Sequence, residues 1–348
     1  MQRAFFENRD QLAAEGISYP VPTASKWNAQ HDFVRAFYHG GPDQMSPLLD
    51  ECRLQIEGGD RLLISSEEMA DWRSPKIKAW KAYLDQRFST PGYRVHMCIR
   101  RWSDLVPSLW HQHVISGGLS GFPEYALSQF LQLQRNQRFP FERTAETWIG
   151  VFGRDSVRIV PIERITENGG DLVTHTFRSL LGIEAEDLAG KYKSNRSLSP
   201  EQLELIRAVS VFGNRRHGKT SRGVSFTLRH MLRRGDADLM AAAERFTPLR
   251  TDLSLDDQHA PFVDMESRAL KEFGELMEGL QGDGIFPRRD PRQVTYIRDV
   301  YWLDHGFRET IESVYARVTG GKDARRSRKR LPRRIWQGIR RWLRAGRR

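Results

Sequence analysis

Ala4, Phe5, Leu12 and Ala13 recur at helical spacing, and Gly16 supplies a stop for the helix they predict. An extended exit follows from Ile17 through Pro20 and Pro22. Residues 45–56 read as a further helix, and Gly58, Gly59 and Asp60 turn the chain into 61–65 (RLLIS), a short buried strand. Ser74 and Pro75 open a helix carrying Ile77, Trp80, Tyr83 and Leu84, with the proline where its missing N–H does no harm. Pro91 and Gly92 lead into 93–99 (YRVHMCI), a second strand. Helices are predicted at 102–116, 123–137 and 142–152, then a third strand at 156–162 (SVRIVPI) and a helix at 171–181 ending at Gly182. Beyond residue 200 the pattern is helical without clear strands.

Strands separated by helices, rather than by two-residue turns, imply βαβ crossovers and a parallel sheet, hence an α/β fold. The organisation expected is one α/β domain over 1–320, its later part a helical extension, followed by a basic tail over 321–348. Ligands of parallel sheets bind at the carboxyl ends of the strands. Here those exits read Ser65-Ser66-Glu67-Glu68 and Ile99-Arg100-Arg101-Trp102.

Composition changes this picture in three ways. An apolar share of 39%, with 18 Phe and 9 Trp, excludes global disorder. The net charge of +11 is not spread evenly: residues 322–348 hold 13 Lys or Arg and one acid, Asp323, so the tail carries +12 and the remainder about −1. Cys52 and Cys98 cannot build a disulfide framework and no Cys/His cluster has zinc spacing, so both are expected to be buried thiols in a reducing compartment and no metal is required. No apolar run reaches the roughly 18 residues of a membrane span, and the amino terminus carries acids where a secretory signal has its apolar core. A cytoplasmic location is expected.

Arg100 ends the strand 93–99, and Ser108 lies eight residues on, about two helical turns along the next helix. Together they can converge on one phosphate, the guanidinium through paired charge-assisted bonds and the hydroxyl as a short-armed donor. The plainer alternative is an arginine in a surface ion pair and a serine lining a helix.

The order strand, Arg, helix with Ser resembles the 3′-phosphate segment of sulfotransferases that use 3′-phosphoadenosine 5′-phosphosulfate. The bacterial branch of that family supplies further matches in the same order. Gln2, Asn8, Leu12, Gly16, Tyr19 and Pro20 match its opening helix and turn, and Leu63, Ser65, Ser66 and Glu67 a strand ending in Leu-Ser-Ser-Glu. Trp110 and Gln112, then Trp148, Phe152 and Gly153, a strand ending near Glu163, Leu180 to Ile183, and Asn195, Ser197 and Ser199 complete the run, about residues 1 to 210. The resemblance implies a three-layer fold like that of P-loop nucleotidases. It implies transfer of a sulfuryl group from 3′-phosphoadenosine 5′-phosphosulfate to a hydroxyl, of a carbohydrate above all. Arg100 and Ser108 would hold the donor's 3′-phosphate. Glu67 would be the base that takes the acceptor's proton, unless Ser65, Ser66 and Glu67 only start the next helix.

The chain departs from the family at its beginning. Met1 falls where the first strand and its Lys-Thr-Gly-Thr-Thr-Ser-like loop end, so that strand and loop are expected to be encoded upstream. The loop cradles the 5′-phosphosulfate on backbone N–H groups. A protein built without it would be badly impaired in transfer, leaving a non-catalytic nucleotide-binding or membrane-associated interaction protein as the alternative. Gly213, Gly218, Lys219 and Thr220 fit the Walker A spacing, which offers a P-loop phosphotransferase as a third reading, provided that a strand precedes and a helix follows. Finally, 333–345 (RRIWQGIRRWLRA) places Ile335, Ile339, Trp342 and Leu343 on one face with arginines around the rest. That pattern suits the surface of an anionic membrane at its cytoplasmic side, with simple packing as the alternative and nucleic acid disfavoured by the neutral body.

Overall fold

Helices and short strands alternate through the first 183 residues, as the periodicity predicts. The computed structural model describes residues 2–320, apart from 24, 26–29, 58–59, 89–91, 137–140, 168, 185–197, 219–221 and 279–283. In chain order the elements begin α1 (Gln2–Glu7), α2 (Arg9–Ala14), β1 (Ile17–Ser18), α3 (His31–Gly40), α4 (Pro42–Glu51), α5 (Arg53–Glu57), β2 (Arg61–Leu62) and α6 (Ser74–Arg87). They continue through β3 (Val95–Ile99), α7 (Trp102–Ile115), α8 (Phe122–Asn136), α9 (Phe141–Phe152), β4 (Val157–Pro161), α10 (Ile162–Glu167) and α11 (Leu172–Thr176). The later elements are α12 (Pro200–His217), α13 (Arg222–Arg233), α14 (Ala237–Glu244), β5 (Arg250–Leu255), α15 (Ala260–Phe273), β6 (Arg292–Ile297) and α16 (His305–Val318).

The chain divides into two compact units, each assembled from separate stretches. Unit 1 comprises Met1–Trp102, Leu131–Asn195 and Asp256–Pro291; unit 2 comprises Ser103–Phe130, Arg196–Leu255 and Arg292–Arg348.

Unit 1 holds two parallel pairs of strands. Ile17 lies opposite Arg61 in the first, and Val95 to Ile99 run opposite Val157 to Pro161 in the second. The continuous central sheet expected from the sequence is therefore replaced, among the described residues, by separate two-stranded pairs in a mixed helix and sheet architecture. One cause is visible at β1, where Pro20 and Pro22 bring no N–H with which to extend the ladder. Ile17 of the first pair backs onto one core with Phe5, Leu12 and Phe177, and the second pair backs onto another. Phe33 and Phe37 of α3, Trp72, Trp80 of α6 and Trp148 of α9 are buried there, and Ile64, Val95, Met97 and Val157 pack with them. The rings of Phe37 and Trp80 meet edge to face at 4.9 Å, the arrangement that aromatic quadrupoles favour.

Each pair keeps one edge unpaired by its partner strand. The N–H groups of Arg61 and Leu63 donate to β1 and its flank, so by alternation Leu62 and Ile64 turn their backbone groups the other way. On β4 the carbonyl of Ile159 accepts from Glu278 at 2.8 Å, which leaves Arg158 and Val160 to face β3. In a parallel ladder that assigns Val95, Met97 and Ile99 to the β4 side, and His96 and Cys98 to the open edge. Cys52 is buried as expected, whereas Cys98 is exposed, a correction that follows from alternation along β3, where Val95, Met97 and Ile99 turn to the cores and Cys98 to the opposite face.

Unit 2 is organised on α12. Ser199 caps it by a full capping box with Gln202, and Pro200 occupies the first turn. The absence of strands expected beyond residue 200 is overturned by β5 and β6, an antiparallel pair with Arg250 opposite Ile297 and Leu255 opposite Arg292. Each carries only a short alternation, Leu253 and Leu255 in one and Val294 and Tyr296 in the other, too brief to stand out from the helical pattern around it.

Candidate functional site

The carboxyl end of β2 is built around Gln30, which is fully buried. Its side-chain amide donates to the carbonyls of Leu63 (2.8 Å) and Pro20 (3.2 Å), and its side-chain oxygen accepts the Ser65 N–H at 2.6 Å. Gln30 thus replaces the ladder bond that Pro20 cannot make. The chain then reaches Ser66, whose hydroxyl accepts from the Glu68 N–H at 3.3 Å and lies 2.8 Å from Nδ1 of His31. Ser66 is the N-cap of the 3₁₀ turn Glu67–Asp71, so for this segment helix capping describes what the serine does. Glu68 pairs with Arg35 through both carboxylate oxygens. Glu67, the candidate base, stands exposed at the first position of the turn.

At the carboxyl end of β3 the two consecutive arginines go separate ways. Arg101 is 2% exposed and spent on structure: its guanidinium donates to the carbonyl of Pro287, lies 3.5 Å from Glu167 and 3.9 Å from Asp257, and sits over the ring of Phe286. Arg100 is exposed, and its Nε lies 3.9 Å from Oε1 of Glu163, beyond hydrogen-bond reach. Glu163 is 6% exposed, in the first turn of α10 just after β4. Its Oε1 accepts the Arg101 backbone N–H at 3.1 Å, while its buried Oε2 has no hydrogen-bond partner. Burial pushes this carboxyl above the ordinary carboxylate range, against the pull of the N–H groups and of Arg100 and Arg101.

Parallel pairing of β3 with β4 is what brings Arg100 and Glu163 together from distant parts of the chain. The sequence marks Glu163 only as the end of a strand and leaves Gln30 unmarked. A carboxylate two residues past a buried strand is the one local signal that singles out the former.

Ser108 is half-buried on α7, one position after Pro107. It belongs to unit 2, as Arg100 belongs to unit 1. Glu67 and Arg100 leave different strands of unit 1, β2 and β3.

A second polar cluster of unit 1 lies along β3 and β4. Glu278 bridges His175 (Nε2, 3.0 Å) and His96 (Nδ1, 3.7 Å). No group of His, Cys, Asp and Glu among the described residues is arranged to hold a metal ion.

The Walker A spacing does not build a phosphate loop. Gly213 to His217 are the last turns of α12, and Gly218 ends that helix in the left-handed conformation at φ 59°. What precedes Gly213 is helix, not the strand the motif needs. Gly213 serves packing instead, since a Cβ there would stand 2.6 Å from Cε2 of Tyr315 on α16. Arg216 pairs with Glu312 at 2.7 Å. Lys219, Thr220, Asn195 to Ser197 and the tail reading at 333–345 lie outside the described residues, and no described helix is long and apolar enough to cross a membrane.

A scan against protein-family models, a search of curated proteins and a search of solved structures each find no match to this chain.

Proposed function

We propose that the chain is a sulfotransferase-type protein that binds 3′-phosphoadenosine 5′-phosphosulfate and serves transfer of its sulfuryl group to a hydroxyl, that of a carbohydrate by preference. The observation that carries the reading is Arg100: an exposed guanidinium at the carboxyl end of a parallel strand, where ligands of such sheets bind, backed by a buried carboxylate. On the resemblance alone, Ser108 of the following helix would be the hydroxyl donor. In the reaction the acceptor oxygen attacks sulfur in line, the bond from sulfur to the 5′-phosphate oxygen breaks, and 3′-phosphoadenosine 5′-phosphate leaves. Glu67, exposed at the exit of β2, takes the acceptor's proton in this reading. The basic, amphipathically patterned segment 333–345 would hold the protein at an anionic membrane surface, close to lipid-linked or exported glycans.

Titration calorimetry with 3′-phosphoadenosine 5′-phosphate tests the reading. Arg100→Ala is expected to weaken binding roughly 10- to 100-fold, the range of a lost charge-assisted pair, and Ser108→Ala roughly 5-fold. No measurable binding by the wild type, or ATP binding that Lys219→Ala abolishes, would sink it.

A further inference from the structure

The tandem arginines at the end of β3 pose a question of aim. Arg101 is locked inward by Pro287, Glu167 and Asp257, and the peptide between Arg100 and Arg101 is pinned by Oε1 of Glu163. Which way Arg100 projects is set by that peptide, because backbone direction fixes the direction of the Cα–Cβ bond. Glu163 also offers Arg100 a counter-charge from behind, at 3.9 Å, without closing a hydrogen bond. Its second oxygen, Oε2, is buried and without a hydrogen-bond partner, an arrangement that costs stability and calls for a reason. A purely structural carboxylate at a helix start would be expected to engage both oxygens. This one leaves one oxygen unengaged.

We propose that Glu163 is the positioning residue of the donor-nucleotide site: by holding the Arg100–Arg101 peptide and standing behind the guanidinium, it sets the direction from which Arg100 meets the 3′-phosphate. The inference rests on the proposed assignment of Arg100 to that phosphate. Glu163 touches no reacting atom in this scheme, and acts only through Arg100.

The test compares two probes, 3′-phosphoadenosine 5′-phosphate and adenosine 5′-phosphate, which differ only in the 3′-phosphate. Glu163→Ala is expected to weaken the first about tenfold, the scale of one hydrogen bond to a charged group, and to leave the second unchanged. Glu163→Gln, whose side-chain oxygen still accepts the Arg101 N–H, is expected to bring the first back to within about threefold of wild type. In an Arg100→Ala background the Glu163 variants are expected to add nothing. Where Glu163→Ala fails to fold, Glu163→Asp, which withdraws the oxygen by one methylene, carries the same expectation of a selective loss. Equal weakening of both probes, or no rescue by glutamine in a variant whose melting curve matches wild type, overturns the proposal. A wild type that does not prefer the 3′-phosphorylated probe, with Arg100→Ala silent, overturns the Arg100 assignment itself and the proposal with it.

Discussion

Arg207→Met is expected to lower the stability of unit 2 by about 3–5 kcal/mol, the cost of stranding a buried charge, and with it the melting temperature by roughly 10 °C. Arg207 and Glu204 are 3% and 1% exposed, one turn apart on α12. The guanidinium donates to Glu204 through Nε at 3.0 Å and Nη2 at 2.6 Å, to the carbonyl of Leu119 at 2.9 Å, to the Tyr301 hydroxyl at 3.0 Å and to Asp299. Tyr301 in turn donates to Glu204. Removing the cation leaves a carboxylate in the apolar interior with only a phenol to answer it, and Leu119 without its donor. Burial alone would favour losing the Arg207 proton, but Glu204 outweighs it and raises the guanidinium's proton affinity above its ordinary value. A raised basic group contributes stability below its unfolded pKa and loses it only in strong alkali, so the deficit of Arg207→Met is expected to persist across neutral pH. The companion variant separates charge from volume. With Glu204→Leu added, both charges are gone, and the double variant is expected to be more stable than the sum of the two single losses by about 2 kcal/mol or more. Chemical denaturation of the four proteins measures the cycle, and additivity would show that the pair is not coupled.

How much of this is legible in the chain depends on how local the cause is. The starts and stops of α7 and α9 follow from apolar spacing, Gly182 closes the run 171–181 in the left-handed conformation, and Ser199 caps α12 as its sequence context requires. These are decisions made within a few residues. β1, by contrast, is only two residues long, and exists because Arg61 donates to Gly16 from a distant part of the chain. β5 and β6 pair Arg250–Leu255 with Arg292–Ile297 across a long intervening stretch, with arginine, threonine, aspartate and glutamine among their members. No window of sequence shows that partnership.

The site divides along the same line. Arg100 is marked by its place after a strand, because strand ends are where such sheets bind ligands. That Arg100 is exposed while Arg101 is buried cannot be read from the dipeptide, since either could have turned inward. Glu163 acquires its meaning only when β3 and β4 come together. The Walker A spacing shows the converse error: Gly213 and Gly218 have the spacing of a phosphate loop, but Gly213 answers to Tyr315 and Gly218 to the end of a helix. A motif of loosely spaced small residues is satisfied by several physical causes, and helix packing is one of them.

Under the proposed function, fusing an apolar strand followed by a Gly- and Thr-rich loop to the amino terminus of residues 1–348 is expected to speed sulfuryl transfer at least ~10²-fold, and to raise the melting temperature. The reason lies in the two strand edges that no described strand covers. Leu62 and Ile64 at one pair, and His96 and Cys98 on the other, direct backbone groups away from their partner strands, and Ile64, just past β2, packs with Val95, Met97 and Val157 in the core around Phe37, Trp80 and Trp148. Parallel strands are stable when several are joined and covered, and isolated two-stranded pairs are marginal. A further apolar strand that pairs with both edges would turn two marginal pairs into one sheet. Its carboxyl end would then lie beside the exits that carry Ser66 and Arg100. A Gly- and Thr-rich loop leaving that end would direct backbone N–H groups at the 5′-phosphosulfate, where each donor to the developing charge is worth about 10²–10³ in rate. On the proposed assignment, binding through Arg100 does not depend on that loop, so the shorter chain is expected to retain affinity for 3′-phosphoadenosine 5′-phosphate while turning over slowly. Release of that nucleotide in the presence of hydroxyl-bearing oligosaccharides, measured alongside thermal melting, reads both halves of the expectation. An extension that moves neither the melting temperature nor the rate would show that the open edges are complete as they stand.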